Sequence, residues 1–284
     1  MTTQPNAKAN IAPHDRLVRA LSELSSCMVA FSGGVDSAVV AKAAYLALGS
    51  KAVAVTGISA SLAAGELETA KRIAQSIGIR HETVDTAELA DADYLKNKPD
   101  RCWHCKDELY RQLETLAEER GCAAIVNGAN ADDLSDFRPG MRAADQHRVR
   151  SPLAECGFDK STVRQIAQHW QLEVWNKPAT PCLSSRVVYG LEITPERLDR
   201  IDRAEQCLRE LGLSNVRVRY HHDDLARLEV SLEDLPRLST GDVRQNVVEQ
   251  LHKLGFRYIT IDLEGFRSGS FTQLVSTDDL LKIT

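Results

Sequence analysis

The chain has 284 residues, 43% of them hydrophobic and 26% charged, proportions of a globular protein rather than of a disordered, collagen-like or disulfide-framework chain. Its length suggests about two domains with a full core. With 35 basic against 40 acidic side chains, the net charge of −5 disfavours a sequence-independent nucleic-acid binder, and no run of eighteen apolar residues predicts a membrane span.

In chain order, residues 1–13 read as a loose polar tail without a signal-peptide core, so a cytoplasmic protein is expected. Residues 27–31, Cys-Met-Val-Ala-Phe, predict a short buried strand. Ser32-Gly33-Gly34-Val35-Asp36-Ser37 follows at once, and the Ala-rich stretch 38–48, closed by Gly49, predicts a helix with a glycine cap. Residues 51–56 predict a second strand. Leu67, Ala70, Ile73, Ala74 and Ile77 recur at helical spacing, and Gly78 ends that helix. Residues 81–84 predict a third strand, 103–120 a helix, 123–126 a fourth strand, 162–170 a helix and 172–175 a last strand. Strands alternating with helices predict a parallel sheet whose ligands sit at the carboxyl ends of its strands.

The character changes near residue 180. Lys177-Pro178-Ala179-Thr180-Pro181-Cys182 is a stiff loop. Thr194-Pro195 then opens a helix with cap and proline in their preferred places, and Leu198, Ile201, Ala204, Leu208 and Leu211 form its apolar stripe. Val216, Val218 and Tyr220 alternate with Arg217 and Arg219, and 226–230 alternates likewise, which predicts two strands. Another helix and a strand over 258–263 follow. The predicted fold class is α/β: a parallel sheet flanked by helices over residues 14–186, and a second, smaller α/β domain over 187–284.

The glycine string at 32–37 is the most informative one. Glycines let backbone N–H groups wrap an anion, the following helix adds its positive end, Ser32 and Ser37 add donors, and Asp36 could help hold magnesium. The Gly-Lys-Ser/Thr string of Walker-type loops is absent. A second acidic string, Asn127-Gly128-Ala129-Asn130-Ala131-Asp132-Asp133, follows the fourth strand.

The seven cysteines are an odd number in a reducing compartment, which favours metal or catalytic chemistry over structural disulfides. Cys102 and Cys105 form a C-x-x-C at a predicted helix start, where the helix terminus lowers thiol pKa. Cys182 is the leading candidate for a third thiol, with Arg186 able to lower its pKa or hold an anion. An iron–sulfur cluster with one open iron, a zinc site completed by His104 or Cys156, and a redox pair all remain open. Cys27, Cys122 and Cys207 read as small core residues, and Cys156 is unassigned. Arg217, Arg219, Arg227, Arg257 and Arg267 lie in or beside the later strands, and the glycine, arginine and serines of 262–270 could form an anion site.

Taken together, Ser-Gly-Gly-Val-Asp-Ser at 32–37, Asn-Gly-Ala-Asn-Ala-Asp-Asp at 127–133, Asp-Phe-Arg-Pro-Gly at 136–140, Ser-Pro-Leu at 151–153, Pro-Cys-Leu-Ser-Ser-Arg at 181–186 and Gly-Phe-Arg-Ser-Gly-Ser at 265–270 resemble the LarE family of PP-loop, ATP-dependent sulfurtransferases. The resemblance implies an adenine nucleotide alpha hydrolase-like fold and an enzyme that adenylates a carboxylate of pyridinium-3,5-biscarboxylic acid mononucleotide and replaces it with a thiocarboxylate, in building a nickel-pincer nucleotide cofactor. It implies ATP contacts from Ser32, Gly33, Gly34, Asp36, Ser37, Thr56, Gly128 and Asp132, and magnesium on Asp36. Substrate contacts fall to Ser185, Arg186, Arg217, Arg219 and Arg267, and Cys182 is catalytic. Some members give up the sulfur of the cysteine matching Cys182. Others carry three cysteines, so Cys102, Cys105 and Cys182 imply a 4Fe–4S cluster fed by sulfide or another sulfur donor. A homo-oligomer is also expected. Rival readings are a PP-loop tRNA thiolation enzyme, which wants a basic surface, an ammonia-using PP-loop synthetase, which leaves the three cysteines idle, and a non-catalytic binding module.

Overall fold

A computed structural model of the protein describes residues 11–135, 139–213 and 215–267. The first sheet contains β1 (Cys27–Ala30), β2 (Ala52–Ile58), β3 (Arg80–Asp85) and β4 (Ile125–Val126), all parallel, in the spatial order β3-β2-β1-β4. Alternation along β1 sends Cys27 and Val29 to one face and Met28 to the other, as the two-residue period of a strand requires. On the first face lie helices Pro13–Ser22, Val35–Leu48, Glu66–Ile77 and Lys160–His169; on the second lie Arg101–Arg120 and Pro139–Gln146. Both faces are covered, which is why the inner strands β1 and β2 are apolar runs, while the edge strand β3, Arg-His-Glu-Thr-Val-Asp, is polar.

Two expectations need correction. Residues 172–175 are not a strand: Gln171 turns left-handed (φ 55°), and Leu172, Trp175 and Lys177 donate to nearby carbonyls. The buried Leu172 and Val174 supplied the apolar alternation, but a locally bonded turn leaves no backbone for a ladder. The tail at 1–13 also ends early, because helix Pro13–Ser22 sets Leu17 and Leu21 into the core. Residues 1–10 lie outside the described residues.

The second sheet has the order β5-β6-β7, where β5 is Arg217–His221, β6 is Leu225–Glu229 and β7 is Tyr258–Ile261; β5 pairs antiparallel with β6, and β6 parallel with β7. Helix Pro195–Glu210 lays Leu198, Ile201, Ala204 and Leu208 on it. Its start is capped by Thr194, whose Oγ1 accepts from the Arg197 N–H at 3.3 Å. This second core also takes Ala63, Tyr94, Leu183 and Val187, so the stretch from 183 to 187 is sandwiched between the two sheets. Among the described residues no helix is long and apolar enough to cross a membrane.

Candidate active site: a phosphate cradle and a thiol cluster

The strand order creates the first half of the site. The chain runs from β1 outward through β2 and β3, then returns to place β4 on the other side of β1. The loops leaving β1 and β4 therefore diverge at a topological switch point, where open α/β sheets bind ligands. The loop after β1 carries Ser32, Gly33 and Gly34; the loop after β4 carries residues 127–133.

Gly33 has φ +68°, and a Cβ there would stand 3.0 Å from the Ala70 Cα, so only glycine fits. Gly34 caps helix Val35–Leu48, whose first backbone N–H groups have no side-chain cap and face the loop. Ser32 and Ser37 brace the turn: their hydroxyls lie 3.2 Å apart, and Ser37 Oγ donates to the Gly34 carbonyl at 3.1 Å. Gly128 packs so closely under the helix start that an added Cβ would meet the Ser37 nitrogen at 2.7 Å. This contact locks the two loops together.

Asp36 is held on both oxygens, by Asn130 Nδ2 at 3.3 Å and by the Lys160 ammonium. The Lys160 backbone N–H donates to Asp132 Oδ2 at 2.9 Å, and Asp133 Oδ2 accepts from the Asn130 N–H at 3.0 Å. Hard carboxylate oxygens beside a phosphate-type loop suit magnesium. Thr56 lies under the loop instead of in it: buried on β2, its hydroxyl donates to the Phe31 carbonyl at 2.8 Å and meets His81 Nε2 at 2.8 Å. That hydroxyl is used within the sheet, so an ATP contact from Thr56 would fall to its backbone.

The second half gathers at the same carboxyl edge, beyond β2 and β3. Helix Arg101–Arg120 starts two residues earlier than its periodicity predicts, so Cys102 and Cys105 share one face of its first turns. Cys182 reaches them from the inter-sheet stretch: the Leu183 N–H donates to the Ser61 carbonyl at 2.8 Å, just past β2. The three thiols are free. Burial pushes the Cys105 thiol up to about 12, helped by the neighbouring Cys182 and Glu88. Lys106 lines this site, reachable by solvent; loss of hydration opposes its charge, but Tyr110 and the three thiols outweigh that and hold its ammonium above the usual lysine range. Among the described residues no three His, Cys, Asp or Glu side chains stand as a ready metal cage. The donor chemistry of three free thiols beside cations nonetheless fits an anionic iron–sulfur cluster.

A family model described as NAD synthase matches residues 16–115. An uncharacterized protein of Synechocystis sp. is 46% identical over 262 residues, covering 92% of this chain and 97% of that protein. The pyridinium-3,5-bisthiocarboxylic acid mononucleotide synthase of Lactiplantibacillus plantarum is 38% identical over 268 residues, 93% of this chain and 95% of its own length. The chain belongs to the LarE family. It is thus a PP-loop enzyme of the ATP-using type. A tRNA-specific 2-thiouridylase of Parvibaculum lavamentivorans is 29% identical over 189 residues, 53% of this chain and 47% of that protein, a partial likeness.

In this LarE-family chain the expected substrate residues divide. Arg186, expected to reach substrate or thiol, is fully buried: it pairs with Glu205 at 3.0 Å and donates to the carbonyls of Pro181 and Cys182, the latter at 2.8 Å. Its guanidinium shapes the Cys182 turn instead. Arg219 is also buried, on Glu229 at 2.7 Å and the Ser185 carbonyl at 3.0 Å. Ser185 turns its hydroxyl back onto the Cys182 carbonyl at 2.7 Å. Arg217 remains partly open, stacked 5.1 Å from the Phe266 ring, its charge pushed down to about 10 by burial and then by Arg186. Arg267 pairs with Asp262 and Glu264, while Ser268, Gly269 and Ser270, like residues 136–138, lie outside the described residues. Of the cysteines read as core, Cys27 is fully buried, whereas Cys122 and Cys207 are half-buried.

Sequence reading missed Lys160, Arg101, Lys106 and Glu205. Lys160 had a weak signal, as a lone cation at the start of helix Lys160–His169. Glu205 had none, because a lone acid in a charged helix looks solvated until the fold buries it.

Proposed function

We propose that this enzyme is an ATP-dependent sulfurtransferase that converts a carboxylate of pyridinium-3,5-biscarboxylic acid mononucleotide into a thiocarboxylate. The observation that carries the reading is the convergence of Cys102, Cys105 and Cys182 beside Arg101 and Lys106, at the carboxyl edge of the sheet that holds the phosphate cradle. In the first step a substrate carboxylate oxygen attacks the α-phosphorus of ATP, the α–β bridge breaks, and pyrophosphate leaves. In the second, a hydrosulfide-type sulfur attacks the acyl carbon, the C–O bond to AMP breaks, and the sulfur's proton goes to solvent.

The backbone N–H groups of residues 33–37 hold the departing pyrophosphate, and Lys160 supplies a cation there once its carboxylate partner turns to metal. Asp36, with Asp132, would hold magnesium, which neutralises charge on the leaving group. Cys102, Cys105 and Cys182 would hold a 4Fe–4S cluster, which would supply the sulfur. Arg217, the half-buried outer end of the second sheet's arginine row, holds the substrate's anionic groups, and Arg267 flanks it. The same proposal has the enzyme working in the cytoplasm as a homo-oligomer, with domains over residues 14–186 and 187–284.

Anaerobic reconstitution of the full chain, followed by iron and sulfide analysis and turnover with ATP and substrate, tests the reading. Iron and sulfide bound through the three cysteines, with multiple thiocarboxylates per chain, is the expected result. A chain that binds no iron, and whose Cys182 loses the mass of hydrogen sulfide in a single turnover, sinks the cluster and leaves the sacrificial-cysteine version. No pyrophosphate released on adding the pyridinium substrate sinks the whole reading.

A further inference from the structure

Three arginines are buried among the described residues: Arg101 at 5% exposure, Arg186 at 0% and Arg219 at 6%. Removing a guanidinium from water costs several kcal/mol unless a counter-charge meets it. Arg186 has Glu205 and Arg219 has Glu229. Arg101 has no carboxylate within ion-pair distance among the described residues. Its Nη1 donates to two neutral oxygens, Asn97 Oδ1 and, at 2.9 Å, the Ser184 carbonyl. The Tyr189 ring lies 5.8 Å from its centre. The acidic groups that act on its charge are Cys102 and Cys182 first, then Tyr189 and Tyr94. Arg101 thus begins the C-x-x-C helix, grips the turn that carries Cys182, and brings an unbalanced buried charge to the thiols.

Resting on the sulfur-transfer reading, we infer that Arg101 is the built-in counter-ion of the sulfur centre, a positioning residue whose guanidinium balances the negative sulfur held among Cys102, Cys105 and Cys182. A buried guanidinium with no carboxylate beside it among the described residues calls for an anion at the turn it grips. Its second bond, to the Ser184 carbonyl, sets the Cys182 turn against the helix start. Arginine suits the task because it stays charged when desolvated and its planar fork serves a carbonyl and an anion together. Lys106 adds a second cation on the solvent side.

The test compares alkylation rates of the iron-free full chain by anionic iodoacetate and neutral iodoacetamide, site by site, with peptide mass spectrometry. Both reagents need the thiolate, so its fraction cancels in the ratio, which reads local potential alone. In the wild type the iodoacetate-to-iodoacetamide ratio at Cys102 and Cys182 should exceed that of N-acetylcysteine. It should fall about three- to tenfold in Arg101→Gln and stay high in Arg101→Lys. A wild-type ratio no higher than that of the free thiol, or one unchanged in Arg101→Gln, overturns the inference. If Arg101→Gln does not fold, Lys106→Gln decides: a ratio still high there assigns the potential to Arg101, and one lost there assigns it to Lys106 and overturns the inference. The result does not depend on iron, so failure of the cluster reading appears separately, as no iron uptake by the wild type.

Discussion

The two halves of the site are built in opposite ways. The phosphate cradle is made of backbone: Gly33, Gly34 and Gly128 are defined by the side chains they lack, and its polar groups come from two short strings on adjacent strands. The thiol cluster is made of side chains from distant stretches, held by buried charges: Arg101 on the helix start, and Arg186 with Glu205 behind the Cys182 turn. A backbone site tolerates no added atom, and a charge-braced site tolerates no lost partner. Each half should therefore fail to a different kind of substitution.

The largest expected effect is on the thiol side. Glu205→Leu leaves Arg186 buried with neutral oxygens only, the Pro181 and Cys182 carbonyls and the Ser185 hydroxyl, and breaking a buried pair costs about 3–5 kcal/mol. Denaturant unfolding measures it, and a loss under about 1 kcal/mol would give this pair the worth of a surface ion pair and erase the contrast. Next comes Gly128→Ala, whose methyl would press on the Ser37 backbone. Overpacking of this kind costs about 1–3 kcal/mol, and substrate-dependent pyrophosphate release should fall at least about tenfold, the equivalent of 1.4 kcal/mol. Iron uptake by the three cysteines should survive; its loss would mean that the halves are not separable. Thr194→Ala removes the cap of the helix that carries Glu205 and should cost about 1 kcal/mol, read as a lower melting temperature.

The smallest effect is a pH dependence. His147 bridges Asp107 Oδ1 at 2.9 Å and Glu114 Oε2 at 2.8 Å, tying helix Pro139–Gln146 to the helix of Cys102 and Cys105. Burial opposes its charge, but the bonds to the two acids outweigh that and hold it above the usual histidine range. A raised folded pKa stabilises fully below the unfolded value near 6.5, and the gain is lost as pH rises through the folded pKa. The melting-temperature gap between wild type and His147→Gln should therefore be widest at mildly acid pH and shrink in alkali. A gap that does not vary with pH would show that His147 acts by packing alone.

Much of the first half was legible in the sequence. Residues 32–37 announce a strand-to-helix turn suited to phosphate because two glycines and two serines fall between a strand and a helix, and the acidic string at 127–133 follows β4, the neighbour of β1. What the Thr56 side chain does was not legible: a threonine near a strand's carboxyl end looks available until its hydroxyl is traced to the Phe31 carbonyl. The strand expected at 172–175 failed because Leu172 and Val174 can be buried from a turn as well as from a ladder.

By itself the sequence determined the parallel sheet flanked by helices, the glycine turn at 32–37 and the three thiols that are candidates for sulfur chemistry, because local spacing and residue type are enough to specify a glycine turn and a C-x-x-C at a helix start. Only the tertiary structure decided what the arginines do. Arg186 and Arg219 lie inward on glutamates, Arg217 stays partly open, and Arg101 is buried with no acid beside it among the described residues. Which guanidinium serves as brace, substrate contact or counter-ion depends on the carboxylate each one meets when the chain closes, and no spacing along the sequence encodes that meeting.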